Sequence, residues 1–247
     1  LDGSAVSSIP VPFLAHDFLE LPDGKLAALS VDWDENGVRG DSIVEVDVAG
    51  EVTQVWSAFD CFDPALDVGD DAANAWTYAN ALDYVDSDDA QESAYYVGMR
   101  NFGSIAKVLR ETGECERVLG TTAASLEFAE DAGPLVHPSG FDVYSNRLLV
   151  VDSGLETEAS RVVEYELDLD AGSVSERESY TEPNGAFIEL GSVTRLVNGS
   201  WLVNWASAGR IELVKDGDPV WELSAQNATL GYHTLTETLY LGDSRKP

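Results

Sequence analysis

The chain has 247 residues, of which 45 are Asp or Glu and only 14 are Lys or Arg, so its formal net charge is −31. A surface this acidic repels nucleic acid and anionic membranes at moderate salt, which argues against both as partners. No run of apolar residues approaches the ~18 needed for a membrane span, so we predict no membrane insertion.

Short β-strand signals dominate the chain. Segments rich in Val, Ile, Tyr and Trp are apolar or alternate between apolar and polar residues, and turn residues separate them. No segment carries a convincing long helical period, so the sequence predicts an all-β chain. In chain order, the strand segments are 25–32, 42–48, 52–59, 93–99, 147–152, 161–167, 201–207, 210–215 and 219–223.

The strand segments recur in a fixed order. Each unit of about 40 residues contains four strands with polar or Gly turns between them, as in a propeller blade. A β-sandwich is the alternative, but it explains neither the repeated order nor the Trp in two of the fourth strands. We therefore predict one β-propeller domain over residues 1–247, with four clear blades at 14–59, 75–120, 134–182 and 186–224.

The two ends of the chain hold further repeat-like segments. The tail TLGYHTLTETLYLGD begins a fifth unit, and the leading GSAVSSIPVPF either supplies its closing strand or belongs to a blade whose start is missing. The count of four and a partial blade predicts five or six blades in the full protein, and the sequence alone leaves open whether the native chain extends before Leu1.

The charge and the cysteines each leave two interpretations open. The scarcity of Lys favours a halophilic protein, in which salt screens the self-repulsion, and a secreted acidic protein is the alternative. Cys61 and Cys115 form one bridge if the chain is exported, or else they are buried thiols. The sequence alone does not choose between these alternatives.

Motifs for metals and nucleotides are weak or missing in the sequence. The segment Asp32–Gly37 begins like a calcium loop, but Ile43 stands where the bidentate Glu is needed, so a polar hairpin loop is the better interpretation. No Cys/His cluster fits zinc, and no Gly-rich phosphate loop follows a strand and opens a helix. We predict no metal site and no cofactor.

Motifs from all four units occur together in the order of one known family. They are HDFLELPDGKLAAL with VRGDSIVEVDVAGEV, AWTYANALDY with YYVGMRNFGSIAKV, RLLVVDSG with SRVVEYELD, and GSVTRLVNGSWLVNWASAGRIELVKDGDPVWEL. Each motif alone is weak, but over residues 13–241 the chain resembles the arylsulfate sulfotransferase family.

The resemblance implies a propeller with its pocket on the central axis. In catalytic members a histidine takes a sulfuryl group from a phenolic sulfate ester and passes it to another phenol without a nucleotide cofactor. An arginine and further histidines hold the sulfate oxygens. The expected partners are therefore a small aromatic sulfate ester and a phenol, and the expected location is extracellular, periplasmic or at the cell surface.

Four site residues carry over from the first two units. His16 matches a catalytic histidine at the mouth of its blade, and Arg100 matches the arginine that binds sulfate. Asn80 matches the Asn of the family's W-x-H-x-N motif and is a substrate-binding candidate. Tyr78 occupies the histidine position of that motif, where a phenol can donate a hydrogen bond but is not a cation at pH 7.

Two alignments of the third unit place the family's catalytic histidine at different residues. Counting back from Asp152 without gaps, the family's nucleophile falls on Pro138, and a one-residue insertion places it on His137. Because a one-residue slip turns a strand's side chain to the other face, His137 is either the nucleophile or a structural residue. His233 lies where the family often has an arginine and is a further substrate-binding candidate.

Two functions follow from these observations. The first is an arylsulfotransferase that uses a histidine intermediate, and the second is a non-catalytic propeller that binds a ligand or a protein partner. Tyr78 and the uncertain position of His137 favour the second function. The four blades in family order favour kinship, which does not by itself fix the chemistry.

Overall fold

The computed structural model describes residues 8–69, 75–130, 132–231 and 233. These residues form an all-β structure, as the sequence predicts, and the only helical elements among them are three short 3₁₀ turns at Ala58–Asp60, Arg100–Phe102 and Ala206–Ala208. No helix in this part of the chain is long and apolar enough to cross a membrane.

Four antiparallel sheets follow one another along the chain, each built from four consecutive strands. A short parallel strand, β9 (Glu127–Phe128), adds to the outer edge of the third sheet. The first sheet contains β1 (Leu14–Glu20), β2 (Leu26–Trp33), β3 (Arg39–Val46) and β4 (Val52–Ser57). The second contains β5 (Ala79–Val85), β6 (Ala94–Met99), β7 (Ser104–Leu109) and β8 (Cys115–Gly120). The third contains β10 (Pro138–Tyr144), β11 (Arg147–Asp152), β12 (Arg161–Asp168) and β13 (Ser173–Thr181). The fourth contains β14 (Ser192–Arg195), β15 (Trp201–Trp205), β16 (Arg210–Lys215) and β17 (Asp218–Ser224).

The four sheets are blades of a β-propeller. The first strand of each sheet contacts the first strand of the next, so β1 contacts β5, β5 contacts β10 and β10 contacts β14. The strand signals and the four-strand repeat therefore predicted the fold class correctly. Most of the tail segment and Gly3–Ser7 of the leading segment lie outside the described residues.

Aromatic side chains fill the space between the first two blades. Trp56 and Trp76 are almost fully buried there, and Trp76 contacts Phe102 edge-to-face with ring centroids 5.4 Å apart. Cys61 and Cys115 form a disulfide across the same interface, with their Cα atoms 6.0 Å apart. The bridge settles the alternative that the sequence left open for these two residues.

A repeated hydrogen bond joins each inner strand to the next one. The carboxylate of Asp17 on β1 accepts the Leu82 N–H of β5 at 2.8 Å, and Asp83 on β5 accepts the Val143 N–H of β10 at 2.9 Å. Asp142 on β10 then accepts the Arg195 N–H of β14 at 2.7 Å. These three interblade bonds fix the relative height of the inner strands, and with it the geometry at the axis.

Candidate active site

Irregular pairing marks the same place on three of the inner strands. The register of β1 shifts between Leu14 and Phe18, that of β5 between Ala79 and Ala81, and that of β10 between Pro138 and Phe141. Such bulges interrupt the alternation of a strand and re-aim its side chains. His16, Asn80 and Ser139 lie within these three irregular segments.

The three bulge residues line one axial cavity of about 620 Å³. The cavity is of the size of small-molecule sites, and its wall mixes basic, amide and hydroxyl side chains with one acid and one leucine. Residues from all four blades contribute to it: His16, Tyr78, Asn80, Arg100, Asn101, Ser139, Glu189 and Leu190.

Tyr78 occupies the wall between His16 and Arg100. The His16 and Tyr78 ring centroids are 4.9 Å apart, and the Arg100 guanidinium carbon is 5.9 Å from the Tyr78 centroid on a cation–π contact. His16 and Tyr78 both have left-handed backbones, with φ of 48° and 50°. Residues other than glycine seldom adopt this conformation, and when they do they cluster at functional sites.

Buried polar contacts hold this part of the wall in place. Asp41 accepts hydrogen bonds from Thr77 Oγ1 at 2.6 Å and from the Ala79 N–H at 2.7 Å, on either side of Tyr78. The Arg100 N–H donates to the Tyr78 carbonyl at 3.0 Å, which ties the 3₁₀ turn of Arg100 to β5. The Arg100 guanidinium donates to Asn101 Oδ1 at 3.2 Å, which orients its fork.

The charge state of His16 follows from its neighbours. Its pKa lies below the ordinary value, chiefly because packing in the cavity wall removes water from the ring. The carboxylate of Asp41 opposes this shift, while the positive charge of Arg39 adds to it. A neutral imidazole at pH 7 is able to take up a proton from a bound phenol or to attack an electrophile.

His137 lies beside the cavity rather than on its wall, which among the described residues includes Ser139 but not His137. The His137 ring is nearly buried, with 8% exposure, and its Nδ1 is 2.8 Å from the Gly154 carbonyl oxygen. Because a carbonyl only accepts, Nδ1 carries a hydrogen and donates it to Gly154. The next residue, Pro138, opens β10, and its carbonyl accepts from Asn80 Nδ2 at 3.1 Å.

His233 lies against the inner strand of the fourth blade. Its Nδ1 is 3.1 Å from Ser192 Oγ and its Nε2 is 3.1 Å from Thr194 Oγ1, and burial lowers the pKa of the ring. It is not among the described residues that line the axial cavity.

Sequence reasoning missed Ser139, Asn101, Glu189 and Leu190 of the cavity wall. A signal for Ser139 is visible in the sequence: it stands three residues before Asp142, as Asn80 stands three residues before Asp83. The other three residues lie in turns or connections, where no periodic pattern marks a side chain as pointing to the axis. No group of three or more His, Cys, Asp or Glu side chains in the described part of the chain is arranged to hold a metal ion.

Comparison with protein families shows to which family the chain belongs. The arylsulfotransferase (ASST) family model matches residues 5–130, just over half of the chain. This chain belongs to the arylsulfotransferase family. The match covers His16, Tyr78, Asn80 and Arg100, which all line the axial cavity, whereas His137 and His233 lie beyond the matched residues.

Solved structures that resemble this arylsulfotransferase-family chain show the fold alone, because their identities are low. A virginiamycin B lyase from Staphylococcus aureus is 11% identical with a TM-score of 0.48, covering 87% of this chain and 57% of the lyase. A streptogramin B lyase is 13% identical with a TM-score of 0.47, covering 89% and 57%. A chain of a mitotic checkpoint complex is 12% identical with a TM-score of 0.50, covering 93% and 61%.

The chain thus spans less than two thirds of the length of these structures. No curated protein sequence matches it. Its family membership therefore rests on the family model, and its substrates are a matter of proposal.

Proposed function

We propose that the axial cavity transfers a sulfuryl group from a phenolic sulfate ester to a phenol. The observation that carries the proposal is the convergence of His16, Tyr78, Asn80 and Arg100 on one cavity in a chain of the arylsulfotransferase family. The cavity volume of about 620 Å³ suits an aromatic ester together with an acceptor ring.

Arg100 is the group that attracts and holds the sulfate. In a protein with a net charge of −31, a small anion needs a local positive charge to enter. Most described cations, such as Arg110 and Arg161, are in ion pairs with carboxylates, whereas no described carboxylate pairs with Arg100. Its planar fork matches two sulfate oxygens and stabilises the charge that builds on them as the bond to the leaving phenol breaks.

A histidine carries the sulfuryl group in this proposal. We assign the attack on sulfur to His137, which directly precedes the bulge of β10 and whose ring is anchored through Nδ1 to the Gly154 carbonyl. His16 lines the cavity and, as a neutral base, takes the proton of the entering phenol, while the first phenol leaves as its phenolate. Tyr78 and Asn80 bind the substrate beside Arg100.

The test uses 4-nitrophenyl sulfate as donor and phenol as acceptor, at low and at multimolar salt. We expect nitrophenolate release that depends on phenol, and a loss of about 10²–10³ in kcat for Arg100→Gln. Arg177→Gln is the matched control, because Arg177 lies on the outer strand β13 and pairs with Glu166 at 3.1 Å. Equal activity of the two variants would remove Arg100 from the mechanism.

Single substitutions under the same conditions distinguish the roles of the two histidines. We expect His137→Ala to abolish the transfer and His16→Ala to slow it by about 10²–10⁴. Full turnover in His137→Ala with none in His16→Ala would transfer the nucleophilic role to His16.

A second function, a non-catalytic ligand-binding propeller, is favoured by two observations. Tyr78 stands at a histidine position of the family, and His137 is nearly buried beside the cavity. Calorimetry separates the two functions. Binding of 4-nitrophenyl sulfate that Arg100→Gln weakens, with no nitrophenolate at any salt concentration, would support the second and reject the first.

Export from the cytoplasm is part of the proposal. Proteins of the arylsulfotransferase family are typically periplasmic. The disulfide between Cys61 and Cys115 supports the same location for this chain, since disulfides persist in oxidising compartments.

A further inference from the structure

Tyr78 differs from other tyrosines of the described chain in its surroundings. The hydroxyl groups of five tyrosines donate to a carboxylate or a carbonyl outside the axial cavity, namely Tyr84, Tyr95, Tyr144, Tyr165 and Tyr180. Tyr78 lines the cavity instead, with its ring half-buried between the His16 imidazole and the Arg100 guanidinium. The protein therefore keeps a phenol of its own inside the site.

We propose that Tyr78 is itself a sulfuryl acceptor and becomes a tyrosine O-sulfate during the reaction. The inference rests on the proposed function, because a bound aryl sulfate supplies the sulfuryl group. A tyrosine side chain belongs to the same chemical class as the external acceptor, and its left-handed backbone, held through Asp41, keeps it in the wall of the cavity.

The net reaction is balanced without any further reactant. The bond between sulfur and the phenolic oxygen of the ester breaks, and a bond between sulfur and Tyr78 Oη forms. The hydroxyl proton of Tyr78 passes through the neutral His16 ring to the leaving phenolate, which departs as a phenol. One phenolic sulfate ester is exchanged for another, so the transfer is close to thermoneutral and needs no activated nucleotide.

Arg100 contributes both during this transfer and after it. Its guanidinium lies near the face of the Tyr78 ring, where it stabilises the negative charge that develops on the phenolic oxygen. After the transfer, the same guanidinium is close enough to pair with the new sulfate group. The Asn101 amide oxygen that holds Arg100 keeps the fork oriented toward the cavity.

The experiment incubates the full chain with 4-nitrophenyl sulfate in the absence of any other phenol, followed by mass spectrometry. We expect the mass of one SO₃ group on the tryptic peptide of residues 40–100, with fragmentation that places it on Tyr78. This peptide contains no histidine, so a label on it is not a histidine intermediate. Tyr78→Phe should lose the label, and Tyr84→Phe, on the same peptide, should keep it.

The outcomes separate this inference from the proposed function. Nitrophenolate release with added phenol, but no label on Tyr78, would overturn the inference and leave the proposed function intact. A label that persists in the peptide of Tyr78→Phe would also overturn it. Absence of nitrophenolate with and without phenol would overturn both. An unchanged melting temperature of Tyr78→Phe shows that a lost label is not a folding defect.

Discussion

At the scale of single residues, the reactivity of the cavity depends on opposing charges around His16. Asp41 is nearly buried, and its negative charge favours the protonated ring, while Arg39 and the loss of water favour the neutral ring. The neutral form prevails because the lost hydration is the largest of these effects. His16 was visible in the sequence, but its charge state depends on Arg39 and Asp41, which reach it only in the fold.

Removal of the positive charge of Arg39 should move the pKa of His16 upward. The pKa of His16 is below its ordinary value and Arg39 contributes to that shift, so Arg39→Gln should bring it closer to 6.5. NMR titration of the imidazole C–H signals measures the effect directly, because the chain has only three histidines. If the proposed function holds, the acidic limb of the kcat/KM profile shifts to higher pH in the same variant.

The control for this prediction is Arg177→Gln, which removes the same charge from an exposed position on β13. It should leave the His16 titration where it is in the unmodified protein. A His16 midpoint that stays in place in Arg39→Gln would show that the field of Arg39 is screened by solvent before it reaches the ring.

At the scale of elements, the bulges of the inner strands explain why the site was only partly predictable. Irregular pairing is not confined to the inner strands, because a register shift also lies between the third and fourth strands of every blade. An inner strand carries extra residues that interrupt the alternation, so Ser139 and the position of His137 cannot be obtained by counting from Asp152. The four-strand units were predictable, but the individual strand signals did not include the inner strands β1, β5, β10 and β14, and the direction of side chains within a bulge depends on the neighbouring blade.

The two tryptophans of the fourth strands show the same dependence on neighbours. Trp56 on β4 and Trp221 on β17 occupy equivalent positions in their blades. Each pairs with a residue of the third strand that lies next to a register shift. Trp56 is 1% exposed because the second blade covers it, whereas Trp221 on the last described blade is 51% exposed. The repeat predicted both positions correctly, but burial is a property of the blade beside them.

Substitution of Asp83 tests the contribution of the interblade hydrogen bonds of the inner strands to stability. Burial raises its pKa from 3.8 to about 6, against the hydrogen bonds from the Val143 and Tyr84 N–H groups, and Asp142 and Asp17 add to the increase. A carboxyl group with a higher pKa in the folded state costs stability above that pKa, and the cost disappears as the pH falls from about 6 to about 4. The amide oxygen of Asp83→Asn still accepts the Val143 N–H without a charge, while the bond from the adjacent Tyr84 N–H to the second oxygen is lost. We expect this variant to raise the free energy of unfolding at pH 7.5 by about 1–3 kcal/mol.

Denaturant unfolding between pH 4 and pH 7.5 measures this effect. Asp83→Asn should flatten the pH dependence of stability between about 4 and 6, where the folded and unfolded pKa values of Asp83 lie. Asp88→Asn, on the exposed hairpin that follows β5, changes the net charge equally and is the matched control. Destabilisation by Asp83→Asn at pH 7.5 would mean that the charge of the carboxylate, and not only its oxygen, holds the blades together.

At the scale of the whole molecule, the acidic surface opposes the compact fold. The chain has 45 acidic and 14 basic residues, and several described cations, such as Lys25 and Arg147, pair with carboxylates that are themselves nearly buried. Few cations are therefore left to neutralise the exposed carboxylates, and these repel one another across the surface. The sequence predicted this imbalance fully, because net charge does not depend on the fold.

Added salt should therefore raise the melting temperature of the protein, steeply at low concentration and less steeply at high concentration. We expect the melting temperature to rise as KCl increases from about 0.05 M to about 1 M. At about 1 M the Debye length is about 3 Å, so salt ions screen the repulsion between surface carboxylates that lie farther apart than this. Above this concentration screening is nearly complete, so the rise should flatten. Differential scanning calorimetry at constant pH measures the curve.

The choice of salt distinguishes screening from preferential exclusion. Sulfate is excluded from protein surfaces and stabilises most proteins without a limit near 1 M, whereas screening depends on ionic strength alone. If repulsion dominates, KCl and K₂SO₄ should raise the melting temperature equally at equal ionic strength up to about 1 M, and sucrose should not reproduce the increase at low concentration. A melting temperature that does not change between about 0.05 and about 1 M KCl would reject the halophilic interpretation.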